Sequence, residues 1–435
     1  MLAAAFRKID PAEIEAWVRS EPTGAYSRRA WFLYETLTGT RLELDDVSAG
    51  SYVPALNPDL EFVAERRNSP RHRVIDNLLG GAGMCVSVRR TARLAEHAAA
   101  RTDEEAKRLV AGFDQTTLSR AVSYLYTKET RSSFAIEGES PSPNRAERFV
   151  ASLRDAPNFD LGDKASFVDL QRQIVESRYA SLDWRDHQNF VGETISGYRE
   201  KLHFICPRPG DVPQLITAWM AMAQRLIGSD VDPVIAAAAI AFAFVFIHPF
   251  EDGNGRLHRF LIHSVLARRG FSPPGIVFPV SASIVRSRHL YDEALESFSK
   301  PLFEFIDWHF DDETELVVEN ETAHLYRYFD ATALAEYLYD RVVDTVRHDL
   351  AEELGYVAVF DRALAGVREI VDMPDRRATL FVRLCMQNGG RLSNTKRSTF
   401  SELDDDEIRR LERSVQEAIR QERTLHPGIM ESEGS

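Results

Sequence analysis

Cysteine is scarce: Cys85, Cys206 and Cys385 are the only three in 435 residues, far apart and odd in number. That excludes a disulfide framework, and their spacing does not suit a zinc site, so they read as small buried hydrophobes. Long apolar runs are lacking too. The one candidate, Val231 to Ile247, is alanine-rich, slightly short for a bilayer and ends in His-Pro, which makes it a buried central helix. Met1 to Phe6 is too short an apolar stretch for a signal peptide, and Lys8, Asp10 and Glu13 follow at once. A basic excess is missing as well. The formal charge of −14 argues against broad nucleic-acid or anionic-membrane binding, which needs a basic face. There is no internal repeat and no low-complexity tract. What remains is 44% hydrophobic and 28% charged, the balance of a soluble globular protein. Its length suits about two or three domains, and a cytoplasmic location is expected.

Against this background one stretch stands out: His248-Pro249-Phe250-Glu251-Asp252-Gly253-Asn254-Gly255-Arg256-Leu257-His258-Arg259. Gly253 and Gly255 flank Asn254 and let the backbone bend until its N–H groups converge on an anion, and the helix that follows adds the positive end of its dipole. Arg256 and Arg259 sit three apart, so both guanidinium groups can reach one polyphosphate. His248 and Asp252 stand at the two ends of the loop, a base and a hard-metal ligand beside one cavity. A chance histidine in a loop between core helices is the plain alternative, and so specific a spacing leaves it little room. Phe250 reads as a hydrophobic anchor, and His258 and His263 as surface or hydrogen-bonded histidines. A second stretch, Ser132 to Gly138, places Ser133 and Glu137 four apart on one helical face with Gly138 as a stop.

The first stretch resembles the Fic family signature, His-Pro-Phe-x-x-Gly-Asn-Gly-Arg-x-x-Arg, at every specified position. The second resembles the inhibitory motif that many Fic proteins carry upstream of the core, Ser/Thr-x-x-x-Glu-Gly/Asn. The resemblance implies a protein adenylyltransferase that moves AMP from ATP to a Ser, Thr or Tyr hydroxyl of a protein, either another protein or the chain itself. In it His248 is the base, Asp252 holds Mg2+, and Gly253, Asn254 and Gly255 cradle the α- and β-phosphates. Arg256 and Arg259 take the outer phosphates, and Tyr291 lines the adenine. Glu137, with Ser133 and Gly138, restrains the enzyme by competing for Arg259. A histidine at a helix C-terminus has its pKa raised by the helix field, which opposes the role of neutral base. Transfer of phosphate or phosphocholine and removal of AMP are same-fold alternatives. A nucleotide-sensing DNA-binding regulator is the non-enzymatic one.

The fold expected is all-α, mainly helical, with a Fic-type core and a small β-hairpin flap. Residues 1–105 are expected to form a mainly helical domain, and 106–325 the core, with an inhibitory helix at about 129–138 and the catalytic loop at 248–259. Residues 326–435 are expected to form a C-terminal helical domain. Asp232-Pro233 is a strong helix start, and Gly270 with Pro273-Pro274 closes the helix after the loop. Gly197-Tyr198-Arg199 and Leu202 to Val212 alternate like an extended segment, where the resemblance places the flap that clamps a target backbone by strand addition. Asp76 to Gly83 lacks the lysine and helix of a nucleotide loop and reads as a turn. Ser401 to Asp404 reads as a capping box. Arg391, Lys396 and Arg397 make a small basic turn that would suit a helix-turn-helix, but Asp404 to Glu407 would repel phosphate nearby, so nucleic acid is not the expected partner. A homo-oligomer stays open.

Overall fold

In the computed structural model, which describes residues 2–195 and 199–425, helices dominate. The chain opens with α1 (Leu2–Phe6), α2 (Pro11–Ser20) and α3 (Ala25–Thr38). Short strands follow: β1 (Val53–Pro54), β2 (Arg67–Ser69), β3 (Val74–Asp76) and β4 (Cys85–Ser87). Next come α4 (Ala92–Ala100), α5 (Thr102–Ala111), α6 (Gln115–Ile136), α7 (Pro143–Asp155) and α8 (Lys164–Ile174). A hairpin of β5 (Phe190–Ile195) and β6 (Arg199–Ile205) leads into α9 (Val212–Ile227), α10 (Pro233–Ile247) and α11 (Asn254–Arg268). After α12 (Val280–Arg286) and α13 (Arg288–Leu302) come β7 (Trp308–Phe310), β8 (Leu316–Val318), α14 (Ala323–Arg327) and β9 (Tyr328–Asp330). The chain ends with α15 (Thr332–Asp344), α16 (Ala351–Ile370), α17 (Asp375–Met386), α18 (Asn394–Arg397) and α19 (Asp405–Leu425).

The helix α10 is the hub because none of its side chains is polar, so every face must be covered. Asp232 caps it by accepting from the Val234 and Ile235 amides at 2.8 and 3.2 Å, and Pro233 needs no partner in the first turn. From Val234 to Ile247 every residue is buried, with α9, α11 and α15 packed against it. Its many alanines let those helices approach closely. One crossing is fixed by Trp219 of α9, whose indole N–H donates to the Ile240 carbonyl at 2.8 Å. No helix among the described residues is long and apolar enough to cross a membrane.

Four expectations need correction. Residues 39–91 contain no helix, because Asn57-Pro58, Asn68-Ser69-Pro70 and the glycine cluster at 80–83 break the period. They form instead a sheet of order β1-β3-β2, with Val53 parallel to Val74 and Ser69 antiparallel to it. The Asp76–Gly83 stretch is the turn after β3. Arg225 of α9 pins it through the Asp76 carboxylate and the Gly80 carbonyl, and a methyl at Gly80 would sit 2.1 Å from the Met84 carbonyl oxygen.

The C-terminal boundary is not at 326. A helical run continues from Thr332 to Ile370 through a π-helical segment, Thr345–Leu350. The main core extends along it to Val357, and a second core begins at Val359 and includes Phe381, Phe400, Leu411 and Val415. The capping box is also one step later. Asp404 accepts from the Asp406 and Glu407 amides at 2.8 Å, and Glu407 accepts in return from the Asp404 amide at 2.9 Å. The hairpin forms where the flap was expected, but it begins earlier, with Phe190 opposite Ile205 and an irregularity at Val191/Gly192. Gly197 and Tyr198 lie outside the described residues.

Candidate active site

His248 ends α10. Pro249 has no N–H to continue the helix, and His248 turns into the left-handed region at φ 51° and ψ 59°. For a residue with a β-carbon that costs about 1–2 kcal/mol, so the surroundings must hold it. The ring folds back until Nδ1 lies 3.1 Å from the Val245 carbonyl. A carbonyl only accepts, so Nδ1 carries the proton and the Nε2 lone pair is bare. Burial pushes the imidazole from its ordinary 6.5 down to about 4, and the Arg185 charge pushes the same way. The Val245 hydrogen bond, Glu137 and Asp252 pull upward more weakly. The helix field that would raise the pKa is overridden, and the imidazole is neutral at pH 7.

The loop after His248 is closed by one side chain. The Asn254 amide donates to the Phe250 carbonyl at 2.8 Å, and its oxygen accepts from the Phe250 N–H at 3.0 Å. Phe250 is fully buried against Trp184, with ring centroids 4.9 Å apart, as expected of an anchor. Gly253 stands at φ 92°, and a methyl there would meet Val175 Cγ1 at 2.8 Å, so the position requires glycine twice over. The helix α11 starts immediately after, with no side chain capping its first N–H groups. Asp252 Oδ1 accepts from the Gly253 amide at 2.6 Å and from Arg256 Nη2 at 2.7 Å.

Arg256 and Arg259 of α11 are both 1% exposed, but their donors go to different places. Arg256 gives Nη2 to Asp252 and Nη1 to Glu139 at 3.2 Å and to the Ile174 carbonyl at 3.1 Å, which braces the loop, while its Nε is buried without a hydrogen-bond partner among the described residues. Arg259 gives Nε to Ser133 Oγ at 2.9 Å and Nη2 to the Ser133 carbonyl at 2.8 Å and Glu137 Oε1 at 2.7 Å. Its Nη1 is buried and makes no well-formed hydrogen bond among the described residues, although the Tyr291 hydroxyl lies near enough to act on the guanidinium.

The carboxylate partner arrives from α6, which ends with Glu137 as its cap and Gly138 at φ 71°. Burial alone would raise the Glu137 carboxyl, but Arg259, Arg256 and Arg288 outweigh it and hold it below the ordinary carboxylate range. Glu137 Oε1 stands 2.3 Å from where a β-carbon of Gly255 would be. Only glycine at 255 lets that carboxylate in.

A cavity of about 490 Å³ opens beside His248, between the β5–β6 hairpin and α13. His203, Phe204, Phe246, Arg288 and Leu295 line it. Tyr291, expected beside the adenine, does not. On α13 the stripe Arg288, Asp292, Leu295 and Ser299 faces the cavity, whereas Tyr291 lies on the inner side, 4% exposed, with its ring 6.2 Å from His258 and 5.9 Å from that of Tyr337.

The Fic/DOC family model matches residues 162–266, which run from just before α8 through the hairpin, α9, α10 and the loop that follows His248 to near the end of α11. These residues form a Fic domain. Over 211 residues the chain is 25% identical to "Protein adenylyltransferase Fic" of Nematostella vectensis, a match covering 43% of this chain and 48% of that protein. It is 35% identical over 126 residues to the protein of the same name from Drosophila melanogaster, covering 28% of this chain and 23% of the relative. The chain thus spans less than half the length of these relatives. Among solved structures, a Fic family protein from Desulfovibrio desulfuricans G20 aligns with 72% of this chain and 94% of its own at 16% identity and a TM-score of 0.43.

Several residues that build this Fic domain's site escaped the sequence reading. Arg185 and Glu139 make contacts that no motif announces. Glu129 of α6 is fully buried and pairs with His263 Nε2 at 2.8 Å while accepting from the Ser281 amide at 2.8 Å. His263 is therefore a satisfied histidine, as expected. His258 is not: it is fully buried, and neither ring nitrogen makes a well-formed hydrogen bond. The only available signal was spacing: Glu129, Ser133 and Glu137 recur every four residues, and so do Gly255, Arg259 and His263.

Proposed function

We propose that the protein transfers AMP from ATP to a hydroxyl of a protein target, and that Glu137 restrains it. The observation that carries this reading is Arg259: buried, with Nη1 in no well-formed hydrogen bond among the described residues and Nη2 held by a carboxylate standing where Gly255 leaves room for an anion. A buried donor without a well-formed bond is costly and marks a place where a ligand completes the network. The relatives named protein adenylyltransferase support the same reaction.

In the proposed step the target hydroxyl oxygen attacks the α-phosphorus, and its proton passes to His248 Nε2. The bond from the α-phosphorus to the bridging oxygen of pyrophosphate breaks, and pyrophosphate leaves with that electron pair. General-base help of this kind is worth roughly 10²–10⁴-fold. The uncapped N–H groups at the start of α11 receive the phosphates next to the base, and Arg259 takes the terminal one once Glu137 yields it. The nucleoside fits the cavity lined by Phe246 and Leu295. Asp252 suits magnesium, which needs only one or two carboxylates beside phosphate oxygens and water: Oδ1 is occupied, but Oδ2 has no protein partner among the described residues. When bound there, the ion would neutralise charge on the departing pyrophosphate.

With Glu137 paired to Arg259, ATP is denied its terminal contact and the resting enzyme is slow. Glu137→Gly is expected to raise incorporation of α-labelled ATP into protein, and His248→Ala in that background to abolish it while nucleotide still binds. Labelling equal to the unmodified protein would remove the restraint from the account. Label arriving from the γ-position would replace AMP transfer by phosphate transfer.

A further inference from the structure

Arg185 lies in the loop between α8 and the hairpin, 6% exposed, and no carboxylate among the described residues pairs with it. A buried cation without a counter-charge is expensive unless its donors are satisfied in another way. Here they are met by three backbone carbonyls. Nε donates to His248 at 2.7 Å, Nη1 to His187 at 2.8 Å and Nη2 to Pro207 at 2.6 Å. The Arg185 main-chain N–H adds a fourth bond, to the Pro249 carbonyl at 2.8 Å. His187 precedes β5 and Pro207 follows β6, so one planar fork grips the catalytic loop and both roots of the hairpin.

We propose that Arg185 is a positioning residue for the reaction: it fixes the left-handed turn that carries His248, neutralises the negative end of α10 at that turn, and locks the imidazole to the base of the hairpin. The inference rests on His248 being the proposed base. The last carbonyls of α10 would otherwise direct a negative field at the ring and favour its protonated form. A guanidinium bonded to the His248 carbonyl answers that field at its source, and its planar donors hold a geometry that a lysine ammonium cannot. The other charges acting on the ring are Glu137 and Asp252, and the cavity it borders also carries Glu193, His203, Arg288, Asp292 and Glu296.

The test is the titration of His248 by NMR in the full chain with labelled histidine, the signal assigned by its loss in His248→Ala. This reads the ring whether or not AMP is transferred, so failure of the proposed reaction and failure of this inference are separate results. In the unmodified protein His248 is expected as the Nδ1–H tautomer, still neutral well below pH 6. Arg185→Met is expected to raise its titration midpoint by about one unit or more. Arg185→Lys keeps a charge and should leave the midpoint close to that of the unmodified protein. In the Glu137→Gly background, Arg185→Lys is expected to lower the transfer rate about tenfold or more, with KM for ATP little changed, because the base is displaced and the nucleotide site is not. A midpoint in Arg185→Met equal to that of the unmodified protein overturns the proposal. So does an ordinary midpoint or the opposite tautomer in the unmodified protein, which needs no variant to fold.

Discussion

A methyl group at position 255 would stand 2.3 Å from Glu137 Oε1 and 3.2 Å from Arg259 Nη1. Gly255→Ala should therefore expel the carboxylate, as Glu137→Gly does, yet also narrow the space an incoming phosphate needs. The expected outcome is a variant with ATP affinity lower by about tenfold, or about 1.4 kcal/mol, and labelling that stays low. Calorimetric titration beside the labelling assay would show it. A Gly255→Ala protein that binds ATP normally and labels rapidly would mean that the phosphates lie elsewhere.

His248 and His258 give opposite kinds of pH prediction. With its imidazole held at about 4, the released enzyme should keep its rate from about pH 8 down to about pH 5 and lose it only as His248 takes up a proton. Initial rates across that range check this, and a midpoint near 6.5 would contradict it. His258 bears on stability. Burial pushes it to about 3, with a weak upward pull from the Ala241 carbonyl and a downward one from Arg259. The unfolded chain binds this proton near 6.5 and the folded protein does not. Its contribution is thus intact above that value, falls by up to about 1.4 kcal/mol per pH unit below it, and levels off near 3. His258→Phe, packed against Phe242 in its place, should flatten the acid side of the stability curve measured by urea unfolding.

Residue chemistry was legible in the sequence where it is local. Asp232-Pro233 and His248-Pro249 announced the two ends of α10, and the glycines of the turn announced the bend. Arg185 was not legible, because its acceptors are backbone carbonyls as far as 63 residues away and any residue type supplies a carbonyl. Tyr291 falls off the cavity wall because a single residue of offset on α13 separates the stripe facing the cavity from the stripe facing inward.

At the scale of elements, α6 lies on α11 through rungs four residues apart: Glu129 with His263, Ser133 with Arg259, and Glu137 with Arg259. The innermost rung is fully buried. Glu129→Ala would leave His263 and the Ser281 amide without their acceptor, at a cost of about 1–3 kcal/mol. Hydrogen exchange along α6 is expected to accelerate in that variant; unchanged exchange would show that apolar packing alone holds the helix down. The spacing of this ladder can be seen in the sequence, but the partner helix cannot. Strand β5 was missed because its sequence carries only weak local alternation.

Across the whole molecule, distant stretches are tied by non-local contacts that periodicity does not report. Strand β4 pairs parallel with β9, bringing Cys85 opposite Tyr328. The long helical run after Thr332 meets α6 at two points, through Arg120 with Asp361 at the start of the second core and through Lys128 with Asp349 of the main core at 2.8 Å. These joints differ in worth. Arg120 and Asp361 are 40% and 34% exposed and contribute at most about 1 kcal/mol. Asp349 is fully buried and also holds Arg286 at 2.7 Å; Asp349→Ala would leave Lys128 with Glu353 alone and Arg286 with Asp344 alone, and should cost about 1.5–3 kcal/mol. Thermal melts of the two aspartate variants are expected to differ accordingly, and equal melts would place the strength of the joint in its apolar contacts.

The imidazole and the carboxylate that frame the catalytic turn are mounted on unequal footings. His248 is bolted to a rod with neighbours on every side, close-packed and hard to compress, whereas Glu137 is the cap at the end of its helix, with 36% of its side chain open to water. When something must give way, the acid swings aside and the nitrogen keeps its station. On the proposed restraint by Glu137, release would therefore require no remaking of the chemistry, only the departure of one side chain.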